Sequence, residues 1–496
     1  MLRKFNNIDV INSDLKNITL KNILQRVENK KTTFINYYSG SRLVESYSYK
    51  EFVSKAKSLS VKLKNDYHLK KEDTVVVSMI NSSNQLLVYI SCWLLGLTIV
   101  PTDPKQDKSS LTYIIKNSNA ILMIEDKSIL DDIQCPRVAI NNLFIQELSE
   151  PLAYGYEQVE NTKIALIVYT SGTTGNPKGV QLSYLNLIVN AFGLKTHHKI
   201  NENHIHMSIL PLFHVNALCF SFFTILYSNA KLILNRNFSP ISFWEVANKE
   251  NVETINVAPT IIESLLKIEN KQKCEKLKYL VSAAAPLNIS TAKKFYEKFN
   301  IKILQGYGLS EAVNFSLVTP LNVLDDYENI ILNNNHLTVG NPIDGNNVFI
   351  LNDQGEIQKE NCIGNVAIRG WNIMKGYLGN EEESKNAFKS NFLNTGDLGY
   401  FTYIHHEKFF YLTGRSKELI IKNGENISPL EIENTVKKIE GIEESCIVGF
   451  PNKYSGEEVG ILIVNYHNLS KKAIFELLKK HLDKKLTPVS IVFNDS

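Results

Sequence analysis

Apolar runs of buried-strand length recur through the first four hundred or so residues, each separated from the next by an amphipathic stretch. TVVVSMI (74–80), AILMIED (120–126), KIALIVYT (163–170) and AKLILN (230–235) read as strands covered on both faces. Between them, stretches such as SYKEFVSKAKSLSVKLKNDY (48–67) carry apolar residues at helical spacing. Alternation of this kind leaves few options beyond parallel strands whose crossovers are helices packed on the sheet faces. At 496 residues the chain also exceeds what one hydrophobic core supports, so more than one domain is expected. The expected class is α/β, with a large N-terminal part made of α/β subdomains with parallel-rich sheets.

The texture changes near residue 340. VGNPIDGNNVFILNDQGEIQKENCIGNVAIRG has short alternating strands and the turn dipeptides Asp344-Gly345 and Gln354-Gly355, which predict a small antiparallel, β-barrel-like unit. A second change follows Gly414-Arg415. From Ser416 to Ser496 the pattern is hairpin, helix, strands and helix, a small α+β domain, in which Ser428-Pro429-Leu430-Glu431 has the form of a capping box.

Charge and cysteine usage narrow the function. A formal net charge of +3 is too slight to imply a nucleic-acid or anionic-membrane partner. Six cysteines without a CxxC pair give neither a disulfide scaffold nor a zinc site, and a reducing cytoplasm is expected. The N-terminal segment has no apolar signal core. The longest apolar run, Leu86 to Pro101, is shorter than the ~20 residues a membrane-spanning helix needs, and Gly96 interrupts it. It is expected to be a buried helix capped near Gly96, then a short strand.

The segment YTSGTTGNPKG (169–179) carries the chemistry most openly. Glycines let backbone N–H groups converge on an anion without Cβ obstruction, and hydroxyls add donors. Lys178 supplies a mobile positive charge. The Walker pattern GxxxxGK[ST] cannot be fitted to it. A flexible Ser/Gly linker would not need the Pro-Lys-Gly ending directly after a buried strand.

This segment resembles the phosphate-loop signature of the adenylate-forming superfamily, which includes acyl-CoA synthetases, peptide-synthetase adenylation domains and luciferases. Further segments match in the expected order. QGYGLSE (305–311) joins an aromatic between glycines to a carboxylate. By resemblance Gln305, Gly306, Tyr307, Gly308 and Leu309 bind the nucleotide with Tyr307 facing the purine, Ser310 touches the α-phosphate, and Glu311 binds Mg²⁺; Gly306 and Gly308 also resemble positions that line the acyl pocket. The family usually has Thr where Ser310 stands. VSAAAP (281–286) resembles the adenine-site turn, with Ala284, Ala285 and Pro286 on the nucleotide and Ala283 where Gly is common. Asp397 of TGD (395–397) and Arg415 of GRSKE (414–418) resemble the ribose contacts, and Lys417 the domain hinge. Thr170, Ser171, Gly172, Thr173, Thr174, Gly175 and Lys178 resemble the phosphate contacts. PLFHVN (211–216) resembles the acyl-pocket segment, with His214 as the tunnel gate. No Asp stands in that segment to pair with a substrate amine, which argues against an α-amino acid.

The resemblance implies an enzyme that uses ATP and Mg²⁺ to activate a fatty or aryl carboxylic acid as acyl-AMP. The acyl group then passes to a thiol, either CoA or the phosphopantetheine of a carrier protein. Lys178, His214 and Glu311 are the implied catalytic residues. It also implies an AMP-binding domain over 1–414 and a small, mobile C-terminal domain over 415–496. Two alternatives stand beside this: an acyl-AMP ligase loading a carrier protein in a biosynthetic pathway, and a non-catalytic nucleotide- or acyl-binding relative. The family's C-terminal catalytic Lys follows a stretch like KLTPVSIVF (485–493), and no such Lys follows Phe493 in this sequence. Lys484 and Lys485 match a different position. The expectation is slow adenylation with thiol transfer retained.

Overall fold

The amphipathic stretch at 48–67 forms the helix Tyr49–Tyr67, and its first turn shows why it starts there. The Ser48 hydroxyl accepts from the Glu51 N–H at 3.2 Å while the Glu51 carboxylate accepts from the Ser48 N–H at 2.7 Å. Phe52, Val53, Ala56, Leu59 and Leu63 then fall on one buried face. The computed structural model describes residues 15–494 apart from 16, 127–134, 145–158, 171–175, 270–273, 334, 335, 390, 437, 438, 440, 467–469, 484 and 485.

Among the described residues, three sheets organise the chain. In the first, of seven strands, Thr74–Ser78, Thr98–Thr102, Leu122–Glu125 and Arg137–Ala139 run parallel, and Ile164–Thr170 joins them beside Thr98–Thr102. Lys178–Ser183 turns back antiparallel on Ile164–Thr170, and the short strand Gly376–Tyr377 completes that edge from much later in the chain. The second sheet, of 14 strands, has a parallel heart. There Ile205–Ser208 lies between Lys231–Asn235 and Thr254–Val257, followed by Tyr279–Ser282 and Lys302–Gly308. The apolar run from Leu86 resolves as expected, into the helix Ser83–Leu94, Gly96 with φ 73°, and the strand Thr98–Thr102. Among the described residues no helix is long and apolar enough to cross a membrane, and all six cysteines are free.

Beyond Lys302–Gly308 the second sheet becomes antiparallel, through Phe315–Val318, Thr338–Pro342, Glu407–Arg415, Phe392–Ile404, Gly364–Gly370 and Asn346–Leu351. The barrel-like unit read from the sequence is therefore corrected to an open arm; no closed ring of strands occurs among the described residues. The physical reason is shared edges: Phe315–Val318 pairs with the last parallel strand on one side and with Thr338–Pro342 on the other. The arm keeps its own small core, including Leu317, Val339, Ile350, Val366, Phe401 and Phe410. The turn dipeptides behave as expected, with Gly345 at φ 91° and Gly355 at φ 83°.

The third sheet has five strands: the hairpin Ile420–Lys422 and Glu425–Ile427, then Ile442–Asn452, Gly456–Tyr466 and Ser490–Asn494. Helices Pro429–Val436 and Lys471–His481 pack on it around Ile432, Val436, Ile461, Ile463, Ile474 and Leu478, a cluster separate from the main core. Ser428 precedes the first of these helices, and its hydroxyl donates to the Thr413 carbonyl. That bond ties the start of the helix to the end of the preceding arm.

Candidate active site

The strands on either side of the glycine- and hydroxyl-rich segment pair antiparallel as the two arms of a hairpin. Thr170 ends one strand and Lys178 begins the next, and the two residues face each other in register. Ser171, Gly172, Thr173, Thr174 and Gly175 lie outside the described residues. Beyond the hairpin, the Ser183 hydroxyl accepts from the Asn186 N–H and opens the helix Tyr184–His197. The Lys178 ammonium lies 2.6 Å from the Glu383 carboxylate and 5.3 Å from the centre of the Tyr377 ring. The Tyr377 hydroxyl in turn donates to Glu311 at 2.8 Å. Burial, and then the charge of Glu311, raises the pKa of Tyr377, so its hydroxyl is a donor at neutral pH.

Gln305 to Glu311 crosses from the last parallel strand into a short 3₁₀ turn, Ser310–Ala312, at the carboxyl end of the parallel heart. In open α/β sheets this is where ligands bind. The glycines have a packing reason of their own. A Cβ on Gly306 would meet the Phe315 ring at 2.8 Å, and one on Gly308 would meet the Asn314 carbonyl oxygen at 1.6 Å. Gln305 is buried and its amide donates to the Thr338 carbonyl at 3.1 Å. After Ala312 the chain makes a γ-turn. Val313 sits at φ 66° and ψ −56°, and the Asn314 N–H donates to the Ala312 carbonyl at 2.8 Å. A β-branched residue at positive φ is strained, and such strain concentrates at functional sites.

Tyr307, Asp397 and Arg415 meet. The Tyr307 hydroxyl donates to Asp397 at 2.6 Å, and Arg415 Nε lies 3.3 Å from the other carboxylate oxygen. Asp397 and Arg415 are register partners in adjacent strands, so backbone pairing brings them together. The Thr395 hydroxyl donates to the Val366 carbonyl and accepts from the Asp397 N–H, which fixes the turn. The Asp397 side chain is 14% exposed and that of Arg415 68%, so water screens the ion pair and burial dominates. Burial raises the pKa of Asp397, against the Tyr307 hydrogen bond and the Arg415 charge. Burial also puts the Tyr307 pKa well above the ordinary tyrosine value.

His214 lies in the turn between the strand Ile205–Ser208 and the buried π-helix Asn216–Thr224. Asn81 brackets this turn: its amide donates to the Leu210 carbonyl and accepts from the Leu212 N–H, each at 2.8 Å. Loss of solvent around the imidazole lowers the pKa of His214, and the charge of Asp103 opposes that shift. A carboxylate remote in sequence thus stands within electrostatic reach of a segment that has none of its own. Ala283 is buried, whereas Ala284, Ala285 and Pro286 are exposed, with Ala284 in the left-handed region at φ 74°. Lys417 is exposed in the 3₁₀ turn Ser416–Glu418, directly after the strand that ends at Arg415.

The structure therefore gathers Lys178 with Glu311, and Tyr307 with Asp397 and Arg415. Sequence inspection missed Asn81, Tyr377 and Glu383. The last two had a signal, because Asn380 followed by three glutamates is a helix-start pattern just beyond a Gly-Tyr strand. For a metal, Glu311 offers a hard carboxylate donor, and among the described residues no group of three His, Cys, Asp or Glu stands together. That donor set fits Mg²⁺, which is commonly held by one or two carboxylates together with substrate phosphates.

A family model described as AMP-binding enzyme matches residues 25–378. Oxalate–CoA ligase of Arabidopsis thaliana is 31% identical over 339 residues, which are 67% of this chain and 64% of that protein. The chain thus spans less than two thirds of that relative's length. 2-Succinylbenzoate–CoA ligase of Bacillus licheniformis is 26% identical over 444 residues, 89% of each chain. Among solved structures, o-succinylbenzoate CoA synthetase from Bacillus subtilis, in complex with its acyl-adenylate intermediate, aligns with TM-score 0.84. That alignment covers 97% of this chain and 95% of the other at 22% identity, a likeness of fold.

Proposed function

Because the chain belongs to the AMP-binding enzyme family, we propose that it activates a carboxylic acid with ATP, as acyl-AMP, and passes the acyl group to the thiol of CoA. The observation that carries this is the meeting of Tyr307 with Asp397 at the carboxyl end of the parallel heart, 90 residues apart in sequence. It joins an aromatic between two glycines to a carboxylate able to accept from both ribose hydroxyls. In this reading Gln305 to Leu309 and Ala284 to Pro286 hold the adenine end, Ser310 meets the α-phosphate, and Asp397 and Arg415 hold the ribose. Thr170 to Gly175 and Lys178 hold the phosphates.

Lys178 neutralises charge as the carboxylate attacks the α-phosphate and pyrophosphate departs. Glu311 would hold Mg²⁺, which when bound would supply further neutralisation of phosphate charge. His214, neutral at pH 7, closes one side of the acid site. The division into 1–414 and 415–496, with Lys417 as hinge, draws support from the separate core between Ile420 and Leu482. Cytoplasmic location accords with six free cysteines.

The relatives named above act on oxalate and 2-succinylbenzoate, acids without an α-amine. An acid without that amine, fatty or aryl, is the proposed substrate class. Pyrophosphate release measured across fatty, aryl, short dicarboxylic and amino acids tests this. Release with non-amino acids is expected, and robust release with amino acids alone would overturn the substrate class.

A further inference from the structure

The strand Gly376–Tyr377 and its flanks zip the Glu311 turn to the strand that carries Lys178. The Met374 N–H donates to the Glu311 carbonyl at 2.7 Å, Lys375 N–H to Gln181 at 2.9 Å, and Leu378 N–H to Gly179 at 2.8 Å. Tyr377 is the register partner of Val180. Lys178, two residues before Val180, projects from the same face, so its ammonium comes over the Tyr377 ring. The hydroxyl of that ring reaches Glu311. One side chain therefore touches both the group assigned to the phosphates and the group assigned to the metal.

Glu383 is a second partner of Lys178, at 2.6 Å. It sits in the first turn of the helix Glu381–Ala387, where its N–H donates to the Asn380 side chain. The two side chains of the ion pair are 22% and 38% exposed, so solvent weakens it. A phosphate offers Lys178 more charge and more acceptor oxygens than one carboxylate.

We propose that Tyr377 is a positioning residue that fixes the Glu311 carboxylate relative to the Lys178 ammonium, and that Glu383 is the counter-ion nucleotide phosphate displaces from Lys178. This rests on the activation reading above. It makes the site pre-set for nucleotide: Glu311 is already aimed by a neutral donor, and Lys178 is held by a partner it can exchange.

Calorimetry on the full folded chain, with ATP in the presence and absence of Mg²⁺, separates the two roles. Tyr377→Phe keeps the ring under Lys178 and removes the donor to Glu311. It should bind Mg²⁺-free ATP as the parent does and bind Mg²⁺–ATP about tenfold more weakly. Glu383→Gln should bind Mg²⁺-free ATP about threefold more tightly. Tyr377→Leu, lacking both contacts, should weaken binding with and without the metal. Thermal melts establish that each variant is folded, and the conservative Phe and Gln substitutions keep the test open where Leu is not tolerated. Parent-like Mg²⁺–ATP affinity in Tyr377→Phe, or unchanged ATP affinity in Glu383→Gln, overturns the proposal while leaving the activation reading intact. A folded parent that binds no ATP at all overturns both.

Discussion

Asp397 is a residue at which stability and the proposed nucleotide contact pull in opposite directions. Burial raises its folded pKa above the ordinary 3.8, so the folded chain holds this proton more tightly than the unfolded chain does. The stability it contributes is fully present below the unfolded value and is lost as pH rises through the folded one. At neutral pH the ionised, buried carboxylate is therefore a cost. Asp397→Asn is expected to raise the melting temperature at pH 7 while weakening AMP binding roughly tenfold or more, since a charged hydrogen-bond acceptor is lost. AMP binding to the parent should weaken on acidification at a higher pH than an ordinary carboxylate would give. Calorimetry and melts from below the ordinary carboxylate value up to neutral pH check both, and undiminished AMP affinity in the Asn variant would remove Asp397 from the proposed ribose site. Asp397 could be singled out in the sequence from its Thr-Gly turn. Its pairing with Tyr307 could not, because that contact depends on which strands become neighbours.

Elements with local causes were the legible ones. The helix over 48–67, the Gly96 stop and the turns at Gly345 and Gly355 follow from a few adjacent residues, and each appears where the pattern placed it. The antiparallel arm was legible as strands but not as an arm. Whether such strands close on themselves or extend an existing sheet is decided by edge pairing with Phe315–Val318, which no local pattern records. The turn between Lys302–Gly308 and Phe315–Val318 shows how tightly an element can constrain a motif. Gly308→Ala would set a methyl group into the Asn314 backbone, so the turn itself must move, at a cost of about 3 kcal/mol or more. Gly306→Ala meets a side-chain ring instead and is expected to cost less. Melting curves of the two variants should rank in that order; equal stability would mean that the turn accommodates bulk more easily than its geometry implies.

At the scale of the whole molecule, the third sheet has its own core and joins the rest through the exposed turn Ser416–Glu418. Limited trypsin digestion is expected to cut first at Arg415 or Lys417, leaving two resistant fragments, and AMP should slow that cut by engaging Arg415. Early cleavage elsewhere, with this turn spared, would argue against a hinge there. The long-range architecture also sets an order of events. Lys178 and Glu383 are 205 residues apart in sequence, and Gly376–Tyr377 is the outer neighbour of Lys178–Ser183 in the first sheet. While the chain is being synthesised, Lys178–Ser183 can pair with Ile164–Thr170 long before its other neighbour exists. Until that neighbour emerges the strand is a bare template for unwanted pairing, the hazard that makes nascent sheets aggregate. The last strand to arrive in that sheet thus performs two tasks at once. It seals a vulnerable edge, and by the same bonds it brings Tyr377 under Lys178, so a molecule that has not finished folding lacks the contacts that join Lys178 to Glu311 through that ring.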